Sequence, residues 1–391
     1  MAKKTALVLS GGGFKGAFQV GALQYLKNNW SKIDPTGAPM KFDLIAGVSV
    51  GSLNGVLLAS DKFAELEKLW DDVARNGVEE IYTSDFIDTK SPADTVQFKI
   101  NFPNLRRTFF PNLNLKSIPG KVLKFIFNRE GLFNEILDLI KTDLGKTLRS
   151  FRSIADNTPL KNKLTTLVKK ADIKSKFICG YVSLNDGNYY AVNSADFVSD
   201  ADFVNGVLAS TAMPIVWPPV EAINTTNQPT NTQRYLVDGG VRNVSPLGDV
   251  IKEINGDAGN EYLIIVINCH SGEVKSENYQ EKGIASIALR SLNDIALTEV
   301  FNNDIAEFVK INDILAQVKV INPGAEIKNY DFKTGTRTTR SLKQFSSIII
   351  QPDGDTLGDS LVANDMLIKK RLEHGQAKAK QALDKGIPLM V

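Results

Sequence analysis

One serine in this sequence lies in a pattern that could make it a nucleophile. Ser49 is the central residue of GVSVG (residues 47–51), which fits G-x-S-x-G. Apolar residues at 42, 44 and 45 predict a strand before this stretch, and those at 53, 56 and 57 have the spacing of a helix face after it. A serine at such a strand-to-helix turn is exposed at the end of a sheet, where it can attack a carbonyl carbon.

The glycines on either side of this serine have a steric explanation. A very sharp turn strains the backbone of the serine and brings the residues two positions before and after it close together. Side chains there would collide, so Gly47 and Gly51 suit a nucleophile turn. A glycine-rich loop with an incidental serine explains the same letters, and this stretch alone leaves both interpretations open.

A second glycine-rich turn lies between a predicted strand (5–10) and a predicted helix (17–26). It consists of Gly11, Gly12, Gly13, Phe14, Lys15 and Gly16. Backbone N–H groups at a helix start attract anions, so the turn could hold a dinucleotide or form an oxyanion hole. A dinucleotide site needs an acid at a strand end about 20 residues on. The candidate, Asp34, lies in a Pro/Gly loop, which favours the oxyanion hole.

An activated serine needs a base within hydrogen-bonding distance, and the sequence offers two candidates. His270, at the end of a predicted strand, would complete the Ser-Asp-His order of α/β-hydrolases after Ser49 and Asp238. Alternatively, Asp238 could face the serine directly, because Gly239 and Gly240 let the backbone approach closely. An ordinary carboxyl group has a pKa near ~4 and is a weak base, so burial would have to raise that pKa.

Strands and helices alternate along most of the chain. Further strands are predicted at 176–193 (a hairpin), 234–240, 261–270 and 345–352, and further helices at 62–78, 203–212, 284–318 and 360–383. This alternation predicts an α/β fold with a mainly parallel central sheet covered by helices on both faces. A chain of 391 residues is long enough for one large domain of this kind.

The overall composition excludes few functions. A formal net charge of +2 indicates no particular partner. Cys179 and Cys269 lie in apolar runs and are expected to be buried thiols, which suits a reducing compartment. Apolar runs are shorter than the ~18 residues of a membrane span, and the N-terminal run is too short for a secretory signal. A cytoplasmic location is therefore expected.

Residues 98–129 form a basic segment that is rich in phenylalanine. The segment contains seven Lys or Arg residues, six Phe residues and no acid. Basic and large apolar side chains together are attracted to anionic lipid surfaces, so a peripheral membrane contact is predicted. The alternative is that the phenylalanines are core and the charges are solvated. Nucleic acid is not expected as a partner, because no nucleic-acid module accompanies the segment. The amphipathic stretch 131–144 could belong to a lid.

Four motifs occur in a fixed order: GGGFKG (11–16), GVSVG (47–51), ASTAMPIVWPPV (209–220) and DGG (238–240). In this order they resemble the patatin-like phospholipase family. The resemblance implies a three-layer α/β sandwich with a helical lid, and a dyad of Ser49 as nucleophile and Asp238 as proton acceptor. It also implies that residues 11–16 form the oxyanion hole and that 209–220 packs behind the site.

The resemblance covers residues 5–250, which are predicted to be the catalytic domain, with 79–175 as a helical lid or insertion. Residues 251–391 are predicted to complete the same α/β domain with further strands and helices. Gly358–Leu361 spells GDSL, a hydrolase motif, but it lies far from the N-terminal strand end where that motif belongs. A helix N-cap at or near Ser360 is expected instead.

These features predict a lipid acyl hydrolase that cleaves fatty-acyl esters of lipids or phospholipids and requires no metal or other cofactor. Two alternatives remain open. One is an esterase with a Ser49–Asp238–His270 triad, and the other is a catalytically silent lipid-binding protein at a membrane surface. No feature of the sequence indicates an oligomeric state.

Overall fold

The structure is a computed structural model. It describes residues 3–87, 152–257, 259–274, 290–331, 334–354 and 356–386, together with positions 276, 278, 280 and 287. The basic segment 98–129 and the stretch 131–144 lie outside the described residues, as does most of the predicted lid at 79–175.

An eight-stranded mixed sheet forms the centre of the described chain. Its strands are β1 (Lys3–Leu9), β2 (Leu44–Val48), β3 (Lys176–Ser183), β4 (Tyr189–Asn193), β5 (Val220–Asn224), β6 (Thr232–Asp238), β7 (Glu261–Ile267) and β10 (Ser346–Ile350). The strands β8 (Lys328–Asp331) and β9 (Thr336–Ser341) form a separate hairpin. The order is β10-β7-β1-β2-β3-β6-β5, and β4 pairs with β3. From β10 to β3 the strands are parallel, whereas β4, β5 and β6 pair antiparallel.

The central strands are buried on both faces. In β1, Ala6 and Val8 pack on one side of the sheet while Leu7 and Leu9 pack on the other, and each of these four side chains is fully buried. Continuous apolar runs of this kind are typical of parallel strands covered by helices on both sides. They explain why the short run at 5–10 is a strand although it lacks an alternating pattern.

Helices cover both faces of this sheet. They are α1 (Gly16–Asn28), α2 (Val50–Ala59), α3 (Phe63–Asn76), α4 (Thr158–Leu167), α5 (Asp200–Ser210), α6 (Leu247–Gly256), α7 (Leu297–Ile321) and α8 (Asp365–Asp384). Helices α1, α2, α3, α5 and α8 share one core with the sheet, and α6 and α7 form the other. The predicted α/β fold, with a mainly parallel sheet between helical layers, is confirmed.

The helices α1 and α8 approach closely enough to require glycine at their contact. A Cβ at Gly21 would lie 2.0 Å from the carbonyl oxygen of Leu372, and one at Gly375 would lie 2.0 Å from that of Phe18. Two helix backbones in such contact form a rigid layer. The end of the chain thereby packs directly on the first helix, which follows the glycine-rich turn.

The start of α8 differs from the prediction. Its N-cap is Asn364, whose side chain accepts a hydrogen bond from the Leu367 N–H at 2.8 Å, and the predicted N-cap at Ser360 is wrong. Both residue types are good caps, so sequence preference alone could not choose between them. Ser360 lies instead in the loop before the helix, against the glycine-rich turn.

Both cysteines are buried and unpaired, as their apolar surroundings predict. Across the described ranges, no helix combines the length and the apolar character that crossing a membrane would need.

Candidate active site

Ser49 occupies a strained turn between β2 and α2. Its backbone angles are φ 56° and ψ −129°, a conformation that residues with an L side chain rarely adopt. Strain of this kind persists only where the surrounding structure enforces it, and it is concentrated at functional sites. The residue is 7% exposed and lines a pocket, so its hydroxyl group is sheltered without being sealed off.

The two glycines of the turn are required by close backbone contacts. A Cβ at Gly47 would lie 2.3 Å from the carbonyl oxygen of Gly51, and a Cβ at Gly51 would lie 2.2 Å from that of Leu9. Side chains at these two positions were predicted to collide with each other. In the structure, each side chain would meet backbone instead, which leaves no room for relief by a rotamer change.

Ser210, which the sequence did not indicate as a site residue, supports the turn from behind. Its hydroxyl oxygen accepts the Ser49 N–H at 3.0 Å and donates to the carbonyl oxygen of Gly180 at 2.6 Å. The hydroxyl oxygen of Ser52 lies 2.8 Å from the hydroxyl oxygen of Ser210. These fully buried hydroxyls hold the strained peptide in place. Ser210 belongs to the motif at 209–220, and that motif is the only feature of the sequence that could have indicated a role for this serine.

Asp238 reaches Ser49 because two strands meet end to end. Val48, the last residue of β2, pairs with Gly180 of β3, and Asp238, the last residue of β6, pairs with the next residue, Tyr181. The β4 strand pairs with residues 178–182 of β3 from its other edge. Hence β2 and β6 share one edge and run toward each other, which brings the serine and the carboxylate together.

The Asp238 carboxyl group lies in a buried place with few partners. It is 6% exposed, accepts the Gly240 N–H at 2.7 Å, and lies near enough to the Ser49 hydroxyl for that group to favour its charged form. Burial raises the pKa of Asp238 to about 7, although the Ser49 hydroxyl and the Gly240 N–H oppose the increase. Gly239 permits the approach, since a Cβ there would lie 2.4 Å from the carbonyl oxygen of Gly180.

His270 has different neighbours. Its ring lies 5.8 Å from that of Phe301, and burial together with the charge of Lys15 lowers its pKa to about 3. No hydrogen bond between its imidazole and Ser49 or Asp238 occurs among the described residues. The structure therefore brings Ser49 and Asp238 close together and keeps the imidazole out of that pair.

The glycine-rich turn lies against Ser49, and most of its N–H groups already have acceptors. A Cβ at Gly11 would lie 3.2 Å from the Ser49 Cβ. The N–H of Gly11 donates to the carbonyl oxygen of Val244 at 2.9 Å, and that of Phe14 donates to Ser360 at 2.8 Å. The remaining two bonds are internal to the turn, from the N–H groups of Lys15 and Gly16.

Two N–H groups of the turn stay available. Within the part of the chain that the structure describes, those of Gly12 and Gly13 have no acceptor. Gly13 has a φ of 54°, in the left-handed region that favours glycine. Of the six residues predicted for an oxyanion hole, these two are the ones whose backbone can donate to a ligand beside the serine.

An apolar pocket opens beside the nucleophile. Its lining includes Ser49, Leu53, Leu69, Trp70, Leu160 and Trp217. Polar groups are few along this wall, so the pocket suits a hydrocarbon chain better than a sugar or a phosphate. Among the described residues, no group of His, Cys, Asp and Glu is arranged to hold a metal ion.

The sequence profile of the family described as "Patatin-like phospholipase" matches residues 7–251. One similar solved structure is VipD from Legionella pneumophila, with 14% sequence identity, a TM-score of 0.38, and coverage of 98% of this chain and 67% of the other. No curated protein matches the chain. The profile match spans more than half of the sequence and includes the serine turn, the glycine-rich turn and Asp238. The chain therefore belongs to the patatin-like phospholipase family, a family of lipid acyl hydrolases.

Proposed function

We propose that this protein is a serine hydrolase that cleaves fatty-acyl ester bonds of lipids, phospholipids included, through a Ser49–Asp238 dyad. The observation that carries the proposal is the close approach of a strained, sheltered serine and a buried carboxylate whose pKa is raised to about 7. A base with a pKa near the working pH is the most effective proton acceptor, so this carboxylate is suited to the task.

The reaction proceeds through an acyl-enzyme. Asp238 takes the hydroxyl proton as the Ser49 oxygen attacks the ester carbonyl carbon, and the N–H groups of Gly12 and Gly13 donate to the resulting oxyanion. The tetrahedral intermediate breaks its bond to the leaving oxygen, which departs with the proton from Asp238. Water then attacks the acyl-enzyme, its proton passes to Asp238 and on to Ser49, and the free fatty acid leaves.

The pocket supports a lipid acyl chain as the group transferred. Its aliphatic and indole side chains lie beside the nucleophile and remove apolar surface from water. Burying each methylene group contributes about 0.8 kcal/mol. Long-chain esters are therefore expected to be better substrates than acetyl esters.

The rate is expected to rise with pH through the titration of Asp238. The base acts as a carboxylate, and burial raises its pKa to about 7, so the active form is lost as the pH falls below that value. Values of kcat/KM for a soluble p-nitrophenyl ester, read at the isosbestic wavelength, should climb about tenfold per pH unit well below the pKa and level off above it. A profile that stays flat down to pH values near an ordinary aspartate pKa would contradict this assignment.

Covalent labelling tests the proposed function directly. A fluorophosphonate probe forms a stable adduct with an activated serine, and peptide mass spectrometry should find that adduct on Ser49 in the parent. The Ser49→Ala variant should remain unlabelled, while Ser60→Ala, a change to a buried serine at the far end of α2, should label as the parent does. A folded parent that neither labels nor hydrolyses esters would be a lipid-binding protein instead.

A further inference from the structure

A buried arginine in the last helix has no part in the reaction described so far. Arg371 of α8 is fully buried and is the largest of the side chains with that degree of burial. Burial lowers the pKa of its guanidinium group to about 10, a value that still leaves the group charged at neutral pH. A buried charge is tolerated only where its hydrogen-bonding groups are satisfied, so its partners indicate its role.

Its partners are three carbonyl oxygens of one loop, residues 357–362. Nε donates to Leu357 at 2.8 Å, Nη1 to Val362 at 2.9 Å, and Nη2 to Asp359 at 2.7 Å. A guanidinium carries its donors in a rigid planar fork, which can hold carbonyls that point in different directions. The ammonium group of a lysine is a single point and cannot span all three. The 357–362 loop is therefore shaped around this one side chain.

The same loop supports the glycine-rich turn of the active site. The carbonyl oxygen of Ser360 accepts the Phe14 N–H at 2.8 Å. It also lies 2.3 Å from the position that a Cβ on Gly13 would take, which means that the loop is packed against the backbone of that residue. On its other side, the Tyr82 hydroxyl donates to the carbonyl oxygen of Leu361 at 3.2 Å. A shift of the loop must therefore move the peptide between Gly13 and Phe14.

We propose that Arg371 is a positioning residue for the oxyanion hole: by clamping the 357–362 loop, it holds the N–H groups of Gly12 and Gly13 toward the substrate carbonyl. The inference rests on the proposed function. The inference also explains residues Gly358–Leu361, whose sequence is GDSL: they act through their backbone carbonyls and not as a nucleophile motif. The guanidinium touches no substrate, and its effect is confined to the geometry of the transition state.

Steady-state kinetics on a soluble acyl ester test this role. Arg371→Met fills the space without donors and should lower kcat by about 10- to 100-fold, less than the loss of an oxyanion donor, with KM within about twofold of the parent. Arg371→Ala leaves a gap that guanidinium ion can enter. Adding ~20 mM guanidinium chloride, far below denaturing concentrations, should restore part of kcat in that variant, and sodium chloride at equal ionic strength should not.

Two controls isolate the effect from folding. Lys369→Ala changes an exposed side chain of α8 and should match the parent with or without guanidinium. Tyr82→Phe keeps the ring and removes only the hydroxyl bond to the loop, so kcat should fall by about two- to fivefold at constant KM. If both Arg371 variants fail to fold, the Tyr82→Phe variant tests the proposal in their place. A Tyr82→Phe protein with the kcat of the parent would then reject the positioning role.

The outcomes separate the two proposals. A folded Arg371→Met with parental kcat, in a protein whose Ser49→Ala variant is inactive, overturns the positioning role and leaves the proposed function standing. A fall in kcat without rescue by guanidinium, or a rise in KM alone, also rejects it. If the parent does not hydrolyse the ester, or Ser49→Ala hydrolyses it equally well, the proposed function fails and this inference fails with it.

Discussion

Ser49→Ala and Asp238→Asn are each expected to lower kcat/KM for a p-nitrophenyl acyl ester by about 10⁴-fold or more, the loss seen when a serine nucleophile or its essential base is removed. Alanine at position 49 has no atom that can attack. Asparagine keeps the shape of the carboxyl group and its bond from the Gly240 N–H, but it cannot accept the serine proton. The measurement is initial rate against substrate concentration for each purified variant, after circular dichroism has verified folding.

Asp238→Asn should also stabilise the folded protein above neutral pH, whereas a misfolded variant would be less stable than the parent. Burial raises the carboxyl pKa to about 7, so the folded parent binds a proton that the unfolded chain releases at lower pH. The stability from this proton is complete below the unfolded-state pKa and is lost as pH rises through the folded one. The variant should therefore melt at a higher temperature than the parent above neutral pH, and this gain should shrink in acid.

His270→Ala is the matched control for the dyad. The imidazole lies against Phe301 and carries no described hydrogen bond to Ser49 or Asp238, so the variant should keep most of the activity. A folded His270→Ala protein without activity would replace the dyad by the Ser-Asp-His triad. Equal inactivity of all three variants would place the imidazole in the same catalytic unit, because residues that act together lose activity non-additively.

The second large effect is expected at the glycine-rich turn. Gly13→Ala should lower kcat by about 100-fold with little change in KM, because an oxyanion donor acts mainly in the transition state. The new Cβ would lie 2.3 Å from the carbonyl oxygen of Ser360, so the peptide must move away from its present orientation. Its φ of 54° adds strain, about 1–2 kcal/mol for a left-handed residue with a side chain.

Gly37→Ala separates this local strain from the loss of a donor. Gly37 has a φ of 79°, also left-handed, but no atom lies within 4 Å of the position of its Cβ. The variant should lose a similar small amount of stability and keep the kcat of the parent. If both alanine variants have parental kcat, the N–H groups of Gly12 and Gly13 do not form the oxyanion hole. A large rise in KM for Gly13→Ala would assign the turn to substrate binding instead.

Patterns along the chain were enough to predict the elements around the nucleophile. Gly47 and Gly51 mark the sharp turn at Ser49, and the continuous apolar runs of β1 and β7 indicate buried strands. These patterns can be recognised without the fold, although the contact that requires glycine at 51 is with the backbone of Leu9, 42 residues earlier. The alternation of strands and helices predicted the α/β fold, four motifs in order predicted the family, and the family profile confirms that membership.

The groups that lie beside the serine follow from the way distant strands pair in the folded sheet. Asp238 is 189 residues further along the chain, and it arrives there because β6 runs antiparallel to β3 on the edge that β2 also uses. No local pattern distinguishes that arrangement from a strand order that would bring His270 closer. The raised pKa of Asp238 is likewise a consequence of burial, which the letters around it do not encode.

The support of the oxyanion turn was decided in the same way. The carbonyl oxygen of Ser360 accepts the N–H of Phe14, which lies far away in the sequence, and Arg371 holds the loop that contains Ser360. A backbone carbonyl has the same chemistry whatever side chain it carries, so the residue types give no sign of such contacts. The packing of α8 on α1 brings this loop to the glycine-rich turn, and the fully buried guanidinium of Arg371 is the feature that revealed the contact.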